Sequence, residues 1–486
     1  MSAPLWTYDD FLAATGGRRQ GAAPDAVTGI SIDSRTLAPG EAFFAIKGDV
    51  YDGHDYATMA LAKGAATAVV ADNRLAGLGR SKGCLTIVDD VLDALRRLGV
   101  AARARSSAGI VAVTGSVGKT GTKEMLAAAL APDGDVHYSP ASFNNHWGVP
   151  LTLARMPASA KYGVFEIGMN HAGEIEPLVK LVRPQVAIIT TVEPVHLEYF
   201  KDVKAIARAK AEIFLGVVPG GAVILNRDNS HYALLAKLAK EAGIERIVSF
   251  GEHKKADLRL DMVILKPECS CVSATVFGEQ VSYKLGAPGR HLLQNSIAVL
   301  GAVALLGADM AKAVMAFAEL KPPRGRGERH TIAFPRGGGN AMLIDESYNA
   351  NPASMAAAIA LLGQAIPEKT GRRIAVLGDM RELGKTSTRL HAGLAEALAA
   401  ADVQTVFLAG PLMRALWDVL PADQRGGWAE TAADLVPLVL KTVGPGDVVM
   451  VKGSNASRTG AVVEAIKARF APAKAAVEDR QEQETA

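Results

Sequence analysis

One segment constrains the fold of this chain more than any other: an apolar run that leads into a glycine-rich loop and then into a helix. Residues 110–113 read Ile-Val-Ala-Val, and residues 114–120 read Thr-Gly-Ser-Val-Gly-Lys-Thr. Glycines let backbone N–H groups turn inward around a phosphate, and the N-terminus of the following helix adds partial positive charge. The order of strand, loop, Lys-Thr and helix therefore predicts an α/β domain that binds a nucleotide.

Within this loop, Lys119 is predicted to reach the terminal phosphates and the hydroxyl of Thr120 to help hold Mg²⁺. The other predicted nucleotide contacts in the loop are Gly115, Ser116, Val117, Gly118 and Gly121. Gly115 and Gly118 are only three residues apart, so the loop is shorter than the usual G-x-x-x-x-G-K-[ST] pattern. The alternative is a glycine-rich turn between a strand and a helix that carries a lysine by chance.

A regular alternation of short apolar runs and helical stretches surrounds the loop. The runs without polar alternation predict buried strands at 110–113, 162–167, 186–190 and 222–225. Helices are predicted at 119–131, 175–182 and 203–215, and a long apolar helix at 292–306. Such alternation predicts an α/β fold with a mainly parallel sheet covered on both faces.

Two further blocks flank this one. The first carries β-like runs at 27–32, 42–46 and 66–70 and a helical segment at 56–63. After a Pro- and Gly-rich stretch at 321–329, which is not expected to be regular, a second alternation predicts a Rossmann-like α/β domain. Its predicted strands are 342–345, 373–377, 405–409 and 448–451, and its predicted helices are 354–365, 391–401 and 459–470. The predicted domains are therefore 1–108, 109–322 and 323–470, followed by a polar, disordered tail at 471–486.

Composition excludes several other classes of protein. The chain has 486 residues, 49% hydrophobic and 21% charged, which is typical of a globular protein of about three domains. Its 53 Lys and Arg nearly balance 50 Asp and Glu, so no overall charge points to nucleic acid. Cys84, Cys269 and Cys271 fit neither a zinc site nor a disulfide framework. The first residues lack a signal-peptide pattern, and the longest apolar run, 297–308, is shorter than the roughly 20 residues of a membrane helix. We therefore expect a soluble, cytoplasmic protein without membrane insertion.

Three polar residues near the predicted nucleotide site interrupt apolar patterns. Glu166 ends a predicted buried strand, where an unpaired carboxylate is costly, so it is either a metal ligand or an ion-paired core acid. His196 follows another such strand and is either a cation ligand or a hydrogen-bonded loop histidine. Lys210 lies on the apolar stripe of the helix at 203–215, and it either extends to the surface or is held for chemistry.

Ordered motifs over about residues 27–465 resemble those of the Mur ligase family. The matching segments are 33–35, 39–40, 52–54, 114–120, 143–152, 166–175, 196–198, 209–213, 289–291 with Asn295, 325–327, 345–352, 377–384 and 451–454. The segment 345–352, Asp-Glu-Ser-Tyr-Asn-Ala-Asn-Pro, distinguishes best between the members of the family. Ligases of the family that add the first, second or third amino acid carry other sequences there, and the Asp-Asn-Pro-Arg motif of the diaminopimelate-adding ligase is absent from this chain.

This resemblance implies three α/β domains that bind a UDP-sugar, ATP and an amino acid. It implies an ATP-dependent ligase in peptidoglycan precursor synthesis, which phosphorylates the free carboxylate of UDP-MurNAc-tripeptide to an acyl phosphate. The amine of D-alanyl-D-alanine then attacks, and the products are an amide, ADP and phosphate. We expect a monomer.

The resemblance also implies roles for individual residues. Thr120, Glu166, His196 and Lys210 would hold two Mg²⁺ ions, with Lys210 carbamylated as in the family, which requires its neutral amine to react with CO₂. Asn295 would contact adenine, Asp345 the ribose and Arg326 the terminal phosphate. The implied catalytic residues are Lys119, Lys210, His196 and Arg326. The implied contacts to the other substrates are Asp33, Ser34, Arg35, Asn144, Asn145, Tyr348, Asn349, Asn351 and Lys452.

Several of these segments have simpler interpretations. Residues 33–35 fit an ordinary turn with an ion pair, and residues 348–352 fit an Asx-turn and helix cap, which is compatible with binding. Arg324 and Arg326 fit linker charges, and His330 and His391 fit structural roles.

The chain also departs from the family's pattern in two places. Val195 stands where a small residue often precedes the metal histidine, and the sequence after Ser454 differs from the commoner pattern. The alternative functions are another Mur ligase, a folylpolyglutamate-type synthetase, or a P-loop protein that uses ATP as a conformational switch.

Overall fold

The computed structural model describes residues 4–78, 83–335, 338–368 and 370–470. Within these ranges the chain forms three large sheets of five, nine and six strands, each built from one continuous stretch of sequence. Helices cover both faces of the nine- and six-stranded sheets, which confirms the predicted α/β fold class. The domain boundaries near 108 and 322 stay predictions, and the tail at 471–486 lies outside the described residues.

The five-stranded sheet lies in the first part of the chain. The strands here are β1 (Trp6–Thr7), β2 (Arg18–Gln20), β3 (Ala26–Val27), β4 (Gly29–Ser31), β5 (Glu41–Phe44), β6 (Thr67–Ala71) and β7 (Leu85–Val88). The helices are α1 (Tyr8–Thr15), α2 (Ala57–Ala62), α3 (Leu75–Leu78) and α4 (Val91–Ala104). The strand order is β2-β7-β6-β5-β4, with only β2 antiparallel, while β1 pairs separately with β3.

The nine-stranded sheet lies in the middle part of the chain. Its strands are β8 (Gly109–Thr114), β9 (Val136–Tyr138), β10 (Tyr162–Glu166), β11 (Val186–Ile189), β12 (Ala222–Asn226), β13 (Arg246–Gly251), β14 (Leu258–Leu265), β15 (Ser270–Val276) and β16 (Glu279–Leu285). Its helices are α5 (Lys119–Leu130), α6 (Gly148–Ala154), α7 (Ile175–Val182), α8 (Val203–Ala211), α9 (Tyr232–Glu241), α10 (Arg290–Leu305) and α11 (Met310–Ala318). The strand order is β16-β15-β14-β13-β12-β11-β8-β10-β9, and β14 to β16 form an antiparallel meander on the parallel part.

The parallel strands of this sheet read as continuous apolar runs because helices cover both of their faces. Helices α5, α10 and α11 pack on one face, and helices α6 to α9 pack on the other. The meander was not predicted from sequence, and its pattern differs, since Met262 and Ile264 of β14 are 61% and 50% exposed. The predicted helix at 203–215 was too long, because α8 ends at Ala211 and a 3₁₀ turn follows over Glu212–Gly216.

The six-stranded sheet lies in the last part of the chain. Its strands are β17 (Glu328–Ala333), β18 (Asn340–Glu346), β19 (Arg373–Gly378), β20 (Thr405–Ala409), β21 (Arg425–Ala429) and β22 (Val448–Lys452). Its helices are α12 (Pro352–Gln364), α13 (Ser387–Ala392), α14 (Leu394–Ala400), α15 (Arg414–Val419), α16 (Ala432–Thr442) and α17 (Gly460–Arg469). The order is β17-β18-β22-β19-β20-β21, with β17 antiparallel to β18 and the other pairs parallel.

Two predictions for this region were wrong in detail. The helix expected at 391–401 is broken at Gly393, so that α13 and α14 share the stretch. The Pro- and Gly-rich stretch at 321–329 is irregular only as far as Gly327, because Glu328 already pairs with Asp345. Among the described residues, no helix combines the length and the apolar character needed to cross a bilayer.

Candidate active site

A cavity of about 490 Å³ lies between the nine-stranded and six-stranded sheets, beside the ends of β8, β10, β18 and β22. The carboxyl ends of parallel strands are where α/β folds commonly bind ligands. Of the predicted site residues, the cavity is lined by Ser116, Val117, Gly118, Lys119, Thr120, Gly121, Asn144, Glu166, His196, Asn295, Arg326, Tyr348, Asn349, Asn351 and Lys452. Sequence positions from 116 to 452 therefore meet in one site.

The loop after β8 requires its two glycines. Gly115 has φ +152°, and a Cβ atom there would lie 1.9 Å from Thr190 Oγ1. Gly118 has φ +88° and precedes α5, and a Cβ atom there would lie 2.5 Å from Asn295 Nδ2. In the described part of the chain no side chain caps α5, so the N–H groups of its first turn are available to an anion.

The side chain of Lys119 lies against the loop that precedes it. Its ammonium donates to the carbonyl of Gly115 at 2.9 Å. Burial lowers the pKa of Lys119, the nearby Arg326 guanidinium lowers it further, and the Glu166 carboxylate opposes both effects. Two cationic side chains therefore share this part of the cavity with one carboxylate.

Glu166 is a buried carboxylate with two side-chain donors. It is 3% exposed at the end of β10. Thr120 Oγ1 donates to one of its oxygens at 2.8 Å, and Asn144 Nδ2 donates to the other at 2.7 Å. Ser142 Oγ lies 3.2 Å from Thr120 Oγ1, so a group of oxygen atoms gathers beside the phosphate loop.

Lys210 is 2% exposed and does not reach the surface, which excludes the interpretation that it extends to solvent. It does not line the cavity. Burial holds its pKa well below the usual range, and the positive charge of Lys119 adds to the effect. The environment therefore favours a neutral amine.

His196 lines the cavity and contacts the loop that follows β19. Its Nδ1 atom is hydrogen-bonded to a carboxylate oxygen of Glu382. This bond lowers the pKa of Glu382. Both residues have left-handed backbone conformations, with φ +54° for His196 and +64° for Glu382.

The six-stranded sheet contributes a second group of polar side chains. The Arg326 guanidinium lies 4.1 Å from the centroid of the Tyr348 ring. The ammonium of Lys452 donates to a carboxylate oxygen of Glu346 at 3.2 Å and to the carbonyl of Asn349 at 3.0 Å. Asn351 caps α12 by accepting from the N–H of Ser354, which confirms the predicted helix cap.

Three family models match the chain. They are the Mur ligase middle domain at 113–303, the Mur ligase glutamate ligase domain at 331–455, and the Mur ligase family catalytic domain at 26–76. The chain is 33% identical over 476 residues to the UDP-N-acetylmuramoyl-tripeptide–D-alanyl-D-alanine ligase of Escherichia coli, covering 96% of this chain and 99% of the relative.

The chain belongs to the Mur ligase family.

Solved structures agree with the sequence comparison. A crystal structure of MurF from Acinetobacter baumannii has a TM-score of 0.82 and 28% identity to this Mur ligase, covering 96% of this chain and 99% of that chain. The MurF ligase of Thermotoga maritima, solved in complex with ADP, has a TM-score of 0.75 and 25% identity, covering 91% of this chain and 97% of that chain.

Seven predicted residues of this Mur ligase lie outside the cavity lining. They are Gly115, Lys210, Asp345, Asn145, Asp33, Ser34 and Arg35. Asp345 is buried and accepts hydrogen bonds from the N–H and hydroxyl of Ser347. The predicted ion pair between Asp33 and Arg35 is confirmed at 2.7 Å, and Arg35 lowers the pKa of Asp33 to about 2.

Many residues of the site received no role from sequence reasoning, and five of them carry polar groups that bear on the proposed chemistry. They are Ser142, Glu193, His291, Glu346 and Glu382. His291 and Glu346 lie within quoted motifs, so each had a signal that was not used. Ser142 and Glu193 lie in loops without periodicity. Glu382 lies in the motif at 377–384, but nothing local to that motif points to His196.

Proposed function

We propose that this Mur ligase joins D-alanyl-D-alanine to UDP-N-acetylmuramoyl-tripeptide with ATP as the driving nucleotide. The observation that carries the proposal is that the phosphate loop and the segment around Tyr348 line the same cavity. The relatives that match nearly the whole chain carry the name of this ligase. The folylpolyglutamate synthase of Mycobacterium tuberculosis, at 17% identity and a TM-score of 0.60, shares the fold alone.

The reaction needs an activated carboxylate, because an amine does not displace oxide from a carboxylate at neutral pH. Phosphorylation of the tripeptide carboxylate by ATP gives an acyl phosphate and ADP, and attack by the dipeptide amine then forms the amide and releases phosphate. Lys119 and Arg326 stabilise the negative charge of the transferring phosphoryl group. Closure of the two sheets around the cavity would exclude water from the acyl phosphate.

The donor set of the site fits Mg²⁺. Thr120 and Glu166 supply oxygen donors next to the phosphate loop, which are the ligands that Mg²⁺ prefers, and His196 has one ring nitrogen left after its bond to Glu382. We propose that these residues, with Lys210, hold two ions. When bound, Mg²⁺ neutralises charge on the phosphate oxygens.

Carbamylation of Lys210 is part of the proposal. A neutral amine attacks CO₂, a C–N bond forms, and one proton is released to give a carbamate anion. Burial lowers the pKa of Lys210 and so favours the neutral amine that this step needs, and the nearby positive charge of Lys119 favours the anionic product. The modification would convert a cation into an oxygen ligand.

The remaining residue roles follow the family's pattern. Asn295, which lies beside the phosphate loop, would contact adenine. Asp345 would contact the ribose, and both of its bonds from Ser347 are accepted by one carboxylate oxygen, Oδ1. The proposed dipeptide and tripeptide contacts are Asn144, Asn145, Tyr348, Asn349, Asn351 and Lys452, and the proposed UDP contacts are Asp33, Ser34 and Arg35. We propose domains at 1–108, 109–322 and 323–470 in a cytoplasmic monomer.

The experiment is mass spectrometry of the product formed from ATP, UDP-MurNAc-tripeptide and D-alanyl-D-alanine. We expect the pentapeptide product, with phosphate released only when both substrates are present. Phosphate release stimulated by diaminopimelate or glutamate instead would assign the chain to a sister ligase or a folylpolyglutamate-type synthetase. ATP hydrolysis without an amine acceptor and without an amide would indicate a conformational switch.

A further inference from the structure

One contact joins the edge of the cavity to the six-stranded sheet. His196 follows β11 and Glu382 follows β19, 186 residues later, yet His196 Nδ1 is hydrogen-bonded to the Glu382 carboxylate. The same loops are also joined through the backbone, because the N–H of Glu198 donates to the carbonyl of Glu382 at 3.2 Å. The contact therefore connects residues of two separate sheets.

The backbone at both ends of this contact is unfavourable for the residues present. His196 and Glu382 have φ values of +54° and +64°, in the left-handed region that favours glycine. Gly384, two residues after Glu382, also has a positive φ, so glycine is used nearby but not at position 382. A strained conformation that keeps a glutamate indicates that the carboxylate has a role.

The bond also determines which ring nitrogen of His196 carries the proton and which is left as an acceptor. A carboxylate that accepts from Nδ1–H fixes the imidazole tautomer and its orientation and leaves Nε2 as the acceptor. In metal sites such a carboxylate partner orients a histidine ligand and tunes its basicity. We propose that Glu382 is a positioning residue for His196. Docking of the six-stranded sheet, which carries Glu382, against the nine-stranded sheet then completes the part of the cavity where the phosphoryl group is transferred.

This inference rests on the proposed function and gives it an order of events. The six-stranded sheet carries Tyr348 and Lys452, the proposed contacts to the amine substrate, as well as Glu382. Glu382 therefore holds His196 in its working orientation only while the six-stranded sheet is docked at the cavity. Phosphoryl transfer from ATP then takes place only when the sheet that binds the amine substrate is docked. The acyl phosphate is therefore not formed in a site open to water.

The test compares E382A, E382Q and E382G with E198A. Glu198 is an exposed carboxylate of the same contact whose only bond to Glu382 is through the backbone, so E198A is the matched control. We measure Mn²⁺ binding to the ADP-loaded protein by electron paramagnetic resonance, kcat and KM of the ligase reaction, and the thermal midpoint. Loss of an outer-shell carboxylate typically weakens metal affinity or activity by about 10–100-fold.

We expect E382A to weaken Mn²⁺ binding and to lower kcat about 10–100-fold with little change in the KM for ATP. E382Q, whose amide oxygen still accepts from Nδ1–H, should recover most of the loss, and E198A should match the wild type. E382G should lose activity like E382A while its thermal midpoint stays equal to or above that of the wild type, because glycine removes the left-handed strain.

Wild-type Mn²⁺ binding and kcat in E382A would overturn the inference. So would a fall in the thermal midpoint of E382G that accounts for its lost activity, since the role would then be structural. If the wild type itself makes no pentapeptide product, the proposed function fails, and the Mn²⁺ measurement still decides whether Glu382 positions His196.

Discussion

The hydrogen bond from Thr120 to Glu166 gives a quantitative test of the site. Thr120 and Glu166 are 6% and 3% exposed, so the hydroxyl and the carboxylate are both largely shielded from bulk solvent. The substitution Thr120→Val exchanges the hydroxyl for a methyl group of similar size. It leaves no cavity, and Glu166 keeps only the donor of Asn144.

The size of the effect follows from the charge of the acceptor. A hydrogen bond to a charged group contributes about 1.5–3 kcal/mol to the free energy of unfolding. In a cooperative unit of 150–250 residues, each kcal/mol corresponds to roughly 2–4 °C in the midpoint. We therefore expect Thr120→Val to lower the midpoint of the nucleotide-free protein by about 3–12 °C.

Scanning calorimetry at neutral pH measures this shift. A chain with three sheets need not unfold in one step, so the transition to follow is the one that Mg²⁺-ADP raises. Thr122→Val is the matched control, because Thr122 is also buried in α5 but donates to the neutral carbonyl of Gly118 at 2.9 Å. We expect Thr122→Val to lower the free energy of unfolding by about 0.5–1.5 kcal/mol. A Thr120→Val midpoint equal to that of the wild type, or a larger loss in Thr122→Val, would refute the reasoning.

Three more predictions concern charged groups. Lys119→Ala should abolish ADP formation while the protein stays folded by circular dichroism, and an unchanged rate would remove Lys119 from phosphoryl transfer. If Lys210 is carbamylated, bicarbonate should restore activity after CO₂ removal, and a short-chain carboxylate should partly rescue Lys210→Ala; failure of both would contradict the modification. Since Arg35 lowers the pKa of Asp33 from 3.8 to about 2, Asp33 should stabilise the fold above pH 3.8 and lose that effect as the pH falls through about 2. Carbon-13 NMR titration of Asp33 in the wild type and in Arg35→Ala measures both values, and an equal pKa in the two proteins would contradict the ion pair.

The strands and helices around the phosphate loop were predictable because strands that are buried on both faces of the sheet appear in the sequence as continuous apolar runs. The apolar run at 110–113 became β8, and the following Lys-Thr opened α5 as predicted. The meander of β14 to β16 was missed because its strands are partly exposed, as Met262 shows, and their polar positions break the apolar runs. A strand with one exposed face shows only an alternation of apolar and polar residues, which over seven or eight residues is a weaker signal than a continuous apolar run.

The site was predictable where a single segment carries its chemistry and not where distant segments meet. Glu166 was marked by its place in an apolar strand, and the structure adds Thr120 and Asn144 as its donors. The sequence left two interpretations of Lys210, because the helix stripe does not specify how deep the side chain lies. Glu382 had no local signal that points to His196, since their contact depends on how two sheets pack.

The strand order of the central sheet has a consequence for synthesis of the protein on the ribosome. Strand β8, which leads into the phosphate loop, has β10 and β11 as its two neighbours, and both come later in the chain. Because chains emerge from the N-terminus, β8 stays unpaired on at least one side until Ile189 has left the exit tunnel. A nascent chain that ends before that point cannot hold the loop against Thr190, so nucleotide affinity should not arise before β11 has left the tunnel.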